Sequence, residues 1–330
     1  MIHPPSLFDA HLDLAYNAVC GRDVTRPARE QSADEQGIPS VGLPDLRDGN
    51  VRRICATIYC EPNLGSGRGY TNADEAFAMA DAQLDWYHAR FATGDMTLVT
   101  DGLFPEPIGI GAILLLEGAD PIRTPADVEY FFGRGVRAVG LAWKRTRYAG
   151  GTGAPGPLTP AGVELVHELD RFGIVHDASH LAEESFWQLL DLSAGPVMAS
   201  HSNCRAIVPT DRQLSDDMAR AIARRGGVIG INFFDRFLLS PGDHGKRRAN
   251  LADVVRHVRH FCDLIGDTSH VGLGTDMDGG FGRDNIPQEI ETSADLPRVA
   301  TALSETGFSD ACVRRIMGGN WAEYFEKHLP

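Results

Sequence analysis

Ile110-Gly111-Ala112-Ile113-Leu114-Leu115-Leu116-Glu117-Gly118 is the stretch that decides the fold. From Ile110 to Leu116 it carries no polar side chain, and then it ends on a carboxylate. A strand with one wet face alternates apolar and polar residues. A strand without alternation is buried on both faces, as in a parallel sheet covered by helices. Seven further short apolar or β-branched runs are found at about 6–13, 51–60, 136–143, 173–180, 196–202, 227–233 and 270–276.

Helical signals fall between these runs. Residues 73–92 place Phe77, Ala80, Leu84, Tyr87 and Phe91 on one face, behind Asn72 and Glu75 as a capping box. Thr124-Pro125 and Thr159-Pro160 each read as an N-cap followed by proline at the first helical position. The helix after Thr159 stops at Gly173. Ser215 and Asn250 cap helices expected at 216–225 and 251–265, and segments 295–306 and 309–327 complete the chain. Alternating strands and helices, eight of each, predict an α/β fold: a (β/α)₈ TIM barrel, one domain over 1–330 with long βα loops. The competitor is a doubly wound open sheet. Its dinucleotide-binding version lacks support, because no GxGxxG follows the first run. Two polar stretches, 14–50 and 144–158, interrupt the pattern. Both follow strand C-termini, the face on which barrels build their sites.

Bulk numbers set bounds. The chain has 330 residues, 43% hydrophobic and 23% charged, with a formal net charge of -14. Such acidity argues against a nucleic-acid partner, which needs a basic face. The six cysteines, Cys20, Cys55, Cys60, Cys204, Cys262 and Cys312, show no CxxC spacing and read as small buried thiols. Met1-Ile2-His3-Pro4-Pro5 offers no basic region followed by an apolar one, and no apolar stretch is long enough to span a bilayer. The expectation is a cytoplasmic protein without a membrane partner.

Candidate ligands sit at the ends of the runs: His11 and Asp13, Glu117, His180, His201 and Asp276. In a strand, residues two apart share a face, so His11 and Asp13 are expected to leave the first strand side by side. In a closed barrel all these ends converge on one cup. Three imidazoles and three carboxylates there make a binuclear site for a borderline divalent metal. Zn, Mn, Fe and Co all accept such ligands. Two metals lower the pKa of a shared water and polarise a scissile carbonyl, and a nearby carboxylate moves the proton. His257 and His260, three apart on a charged helix, read as solvated. His176 shares strand parity with His180 and reads as packed against the barrel.

The order His-x-Asp, Glu, His, Ser200-His201-Ser202-Asn203, Gly274-Thr275-Asp276-Met277-Asp278-Gly279 resembles the renal (membrane) dipeptidase family of amidohydrolase-like metal-dependent barrels. The likeness runs from His11 to Gly319-Asn320-Trp321. It implies a zinc-dependent dipeptidase, a hydrolase of small dipeptides including L-Xaa-D-Xaa, and a homodimer. It implies that His11 and Asp13 hold one Zn2+, that His180 and His201 hold the other, and that Glu117 bridges them. Asp276 is then the proton acceptor and donor, and Arg212 grips the substrate carboxylate. One departure stands out. The family carries a histidine after its fourth strand to stabilise the oxyanion, and this chain has Trp143 there. Arg145, Arg147 and Tyr148 on the long loop are the candidates to take its place. The departure keeps two other readings open: a metal-dependent amidase or lactamase on another small amide, and a metal-binding barrel with little catalysis.

Overall fold

The computed structural model describes residues 6–65, 67–104 and 109–329, so the segment Met1–Pro5 lies outside it. Nine strands form among these residues: β1 (Leu7–Leu12), β2 (Val51–Tyr59), β3 (Met96–Leu98), β4 (Ile110–Glu117), β5 (Val136–Gly140), β6 (Val175–Asp177), β7 (Val197–Met198), β8 (Ile229–Ile231) and β9 (Val271–Leu273). Eight of them follow the order β7-β6-β5-β4-β2-β1-β9-β8, and all pairings are parallel. A parallel bridge between Ala199 and Ile229 joins the two ends and closes the barrel. These eight are the eight runs legible in the sequence. Strand β3 lies off the ring, paired to β4. Its three residues are too few to show a period.

Caps explain which helices could be foreseen. Asn72, Thr159, Ser215 and Asn250 each accept a backbone N–H at the start of helices Ala73–Thr93, Pro160–Arg171, Asp216–Arg224 and Leu251–Ile265. Of these four, Asn250 alone forms the full reciprocal box, with Asp253. Glu75 turns instead to the Thr71 backbone and hydroxyl. Helix Glu183–Leu192 was not expected. It begins at Ala182, which has no side chain able to cap, so its start leaves no signal. The stretch 14–50 contains helices Leu14–Val19 and Leu43–Asp48, too short for a periodic pattern.

The barrel interior is filled by Phe8, Ala10, Cys55, Ile113, Leu115, Ala138, Val175 and Met198, packed with Trp321, Tyr324 and Phe325. Those aromatics belong to helix Asn320–His328, and Phe8 stacks on Phe325 at 5.5 Å. Gly272 makes room there: a Cβ at this position would run into the Trp321 indole, whose N–H donates to the Leu273 carbonyl. With one end sealed by apolar side chains, polar strand termini collect at the other. Among the described residues no helix is long and apolar enough to cross a membrane.

Candidate metal centre

The cup begins at β1. His11 lies within the strand, but Asp13 does not: the strand ends at Leu12, and Asp13 opens helix Leu14–Val19 with φ -84° and ψ 45°. The pairing register also shifts between Asp9 and Leu12. The two side chains therefore meet through a turn, and strand alternation is not the cause. Asp9 braces this end by accepting from the Thr275 N–H at 2.8 Å, which links β1 to the residues just after β9.

Glu117 ends β4 and stands between two donor sets. Its Oε2 is 3.6 Å from His11 Nε2, and its Oε1 is 3.3 Å from both His180 Nε2 and His201 Nε2. One potential ligand atom each from His11, Asp13 and Glu117 lie within 4.8 Å of one another, and the same holds for Glu117, His180 and His201. His180 and His201 bring their Nε2 atoms to 3.0 Å. His180 reaches this place with φ 64°, beyond the end of β6.

The electrostatics call for positive charge. His11 Nε2, Asp13 Oδ1 and Glu117 Oε1 are buried without hydrogen-bond partners. Orphaned buried atoms cost free energy, and a divalent cation is the one species that satisfies two oxygens and an imidazole lone pair together. Burial opposes charge on His11, yet Glu117, Asp13 and Asp276 outweigh it and hold the imidazole up to about 10. A proton is thus held where cation ligands converge. Burial and the neighbouring acids push Asp13 and Asp276 upward, and burial, with His11 and Arg212, holds His180 and His201 well below the ordinary histidine value. The residues present fit a divalent metal.

Asp276 follows β9 in a left-handed conformation, φ 59°. Its Oδ2 accepts from Asn232 Nδ2 at 2.9 Å. Asn232 was not singled out in the sequence, although it directly follows β8, where the strand-end rule points. A Cβ on Gly279 would collide with the Asp276 carboxylate, which explains glycine there. The second acid of the motif plays a different part. Asp278 accepts from Ser40 and Val41 and pairs with buried Arg22 at 3.2 Å, fastening the 14–50 segment across the rim.

A cavity of about 450 Å³ opens above these groups, lined among others by Tyr16, Tyr59, Trp143, Phe234, Phe237 and Phe281. Arg212 also lines it. It is 4% exposed, so it forms no surface ion pair; it donates to Ser202 Oγ and to the His201 carbonyl. Three loop candidates need correction. The Tyr148 hydroxyl is buried on the Ile122 carbonyl, Arg147 is fastened to Asp120 and neighbouring carbonyls, and Arg145 donates to the Pro155 carbonyl. None lines the cavity, whereas Trp143, Lys144 and Thr152 do. Thr152 Oγ1 lies 3.0 Å from His180 Nδ1.

Of two histidines outside the cup, His257 departs from expectation, while His176 is packed as expected. His257 is fully buried, with Nδ1 3.1 Å from the Cys204 N–H and Nε2 3.1 Å from the Leu238 carbonyl. His176 turns away from the cup to Asp170 at 2.7 Å. The strand ends at Asp177, so parity with His180 does not apply. The thiols hold no disulfide: Cys55, Cys60, Cys204 and Cys262 are buried, while Cys20 is exposed.

A parallel eight-stranded barrel with imidazoles and carboxylates at its strand ends defines a metal-dependent hydrolase class. The sequence profile of the membrane dipeptidase family, peptidase family M19, matches residues 2–327, and the chain belongs to that family. It is an enzyme of the metallo-dipeptidase class. The fold is shared with a solved M19 dipeptidase at 27% identity and TM-score 0.85, over 99% of both chains. It is also shared with a Rhodobacter sphaeroides metallopeptidase liganded with a phosphinate mimic of L-Ala-D-Ala, at 25% identity and TM-score 0.84, over 98% of this chain and 99% of that one. An uncharacterized protein in the pqqA 5' region of Klebsiella pneumoniae is 33% identical over 204 residues, 59% of this chain and 73% of its own. The matches span 51% and 48% of an uncharacterized Schizosaccharomyces pombe dipeptidase and of the dipeptidase tcpJ of Claviceps purpurea.

Proposed function

We propose that this chain is a binuclear, zinc-dependent dipeptidase acting on small dipeptides, L-Xaa-D-Xaa pairs among them. The observation that carries the reading is Glu117: one carboxylate belongs to both donor sets, which is what a bridging ligand requires. His11 and Asp13 would hold one ion, His180 and His201 the other, and Glu117 both. Bound there, divalent ions supply Lewis acidity that polarises the scissile carbonyl and acidifies water. The relative that holds a phosphinate mimic of L-Ala-D-Ala supports the substrate class.

The chain's own residues supply the rest. Asp276, fixed by Asn232 and by its left-handed backbone, accepts the attacking water's proton and returns it to the leaving amine. Arg212 follows β7, and Glu61 follows β2, which stands opposite β7 in the ring. A guanidinium on one wall suits the substrate carboxylate, and a carboxylate on the other suits its ammonium. The Glu61 carboxylate forms no ion pair among the described residues, where it accepts from the Tyr16 hydroxyl at 3.1 Å.

Trp143 favours a second reading, an amidase or lactamase on another small amide, because indole has one N–H donor and no acidic form. A panel of dipeptides, L,D pairs, N-acyl amides and lactams, run beside metal analysis of the purified protein, separates the two. Dipeptide hydrolysis with two ions per chain is expected, with Arg212→Ala raising KM most for substrates with a free carboxylate. Turnover confined to lactams or N-acyl amides would overturn the dipeptidase reading.

A further inference from the structure

We infer that Ser200 is the positioning residue for both halves of the metal centre. One hydroxyl, ordered by Asp177, fixes the tautomers of His11 and His201 at once. The inference rests on the proposed reading of the site, in which both imidazoles offer Nε2 to a cation.

The geometry is a four-group hub. Ser200 Oγ lies 2.7 Å from His201 Nδ1, 3.1 Å from His11 Nδ1 and 2.6 Å from Asp177 Oδ2. None of the four side chains is more than 2% exposed, so each proton needs a partner within the protein. A serine hydroxyl has one proton and two lone pairs. Asp177 only accepts: Oδ1 takes the N–H groups of Ser179 and Ser200, and Oδ2 takes the hydroxyl proton. With its proton committed, Ser200 Oγ has only lone pairs to offer, and two Nδ1–H donors fill them. Both rings then carry hydrogen on Nδ1 and present a bare Nε2 to the cup. Ser179 Oγ, at 3.4 Å, is too distant to compete for the proton.

The hub also explains a third cluster. His11, Asp177 and His201 lie close enough to hold a cation of their own, but that space contains the Ser200 hydroxyl. The backbone fixes the hydroxyl's place. A Cβ on either Gly230 or Gly274 would collide with the Ser200 carbonyl, so β8 and the end of β9 close around it. A serine before one ligand thereby couples two ions that share no imidazole.

Asp177→Asn gives the sharpest test. The amide that replaces Oδ2 becomes a donor, so the Ser200 proton must turn to one Nδ1 and force that ring into the other tautomer. Ion stoichiometry should drop from two to one at limiting free Zn2+, measured by chelator competition and elemental analysis. Ser200→Ala should weaken both ions by roughly 10–100-fold, the usual loss when a ligand's supporting hydrogen bond is removed. Ser200→Cys, a weaker acceptor of the same shape, should fall between Ser200→Ala and wild type. The visible spectrum of the Co2+-loaded protein should change in step, in variants whose metal-free form still unfolds in one cooperative transition. Wild-type Zn2+ affinity at both ions in Ser200→Ala, or equal weakening of both in Asp177→Asn, would overturn the hub. A wild-type protein that binds no divalent ion would overturn the proposed site itself, and the hub with it.

Discussion

Left-handed backbone at a side chain that branches into polar contacts costs about 1–3 kcal/mol, and it persists where the surroundings enforce it. His180, Asp276 and Asp278 all adopt it, with φ between 59° and 64°. Two of them face the cup and the third locks its rim. At Asp276 the strain aims a carboxylate that burial, with the neighbouring acids, holds above its usual range. Asp276→Asn should leave ion stoichiometry unchanged and lower kcat by roughly 10²–10⁴-fold, the range expected for loss of a proton-transfer group. Stopped-time assays at saturating substrate check this, and undiminished turnover would remove Asp276 from proton transfer. The residues quoted from the sequence for the cup do converge there, because strand-end position is legible without coordinates. Tyr148 and His257 were misread for one reason. Whether a polar side chain is solvated, buried or aimed at a cavity depends on neighbours distant in sequence, such as Ile122 for the first and Cys204 for the second.

Loops and short elements carry the next level of organisation. The 14–50 segment looks like an unstructured polar stretch, yet it is fastened across the cup. Arg22 pairs with Asp34 through two hydrogen bonds and reaches Asp278 at 3.2 Å. Its side chain and that of Asp278 are each 3% exposed. Removing Asp278 leaves Arg22 with Asp34 but takes the acceptor from the buried N–H groups of Ser40 and Val41, at a cost of about 1–3 kcal/mol for each donor left unsatisfied. Asp278→Ala should lower stability to urea by that order and make 20–41 the first segment cut in limited proteolysis. Unchanged stability would mean that water reaches the Ser40 and Val41 N–H groups. Long strands such as β4 were readable because eight buried residues leave a pattern. The run at 196–202 was readable too, although only Val197 and Met198 within it form the strand β7.

At the scale of the molecule, the eight apolar runs became the eight barrel strands, and the proposed site follows from that closure. The pH response follows from burial elsewhere. Helix Leu251–Ile265 carries His257, whose Nδ1 accepts from Cys204 and whose Nε2–H donates to Leu238. Both bonds need the neutral ring, and burial holds its pKa down to about 4. The unfolded chain takes up this proton first as pH falls through its ordinary value near 6.5, and the folded chain only near 4. Stability is therefore intact above about 6.5 and declines toward pH 4, by about 3 kcal/mol from this group. Urea titrations of wild type and His257→Gln at pH 7 and pH 4.5 check it. The wild-type loss should be the larger, and equal losses would place the sensitivity in another group.

Strand β1 pairs on one side with β2 and on the other with β9, and its Phe8 stacks on the last helix. The second partner emerges from the ribosome more than two hundred residues after the first. At ~5–20 residues per second, one edge of β1 waits on the order of tens of seconds for its neighbour. A nascent or C-terminally truncated chain cannot bring His11 and Asp276 together, so the protein gains its chemistry only when synthesis is nearly complete.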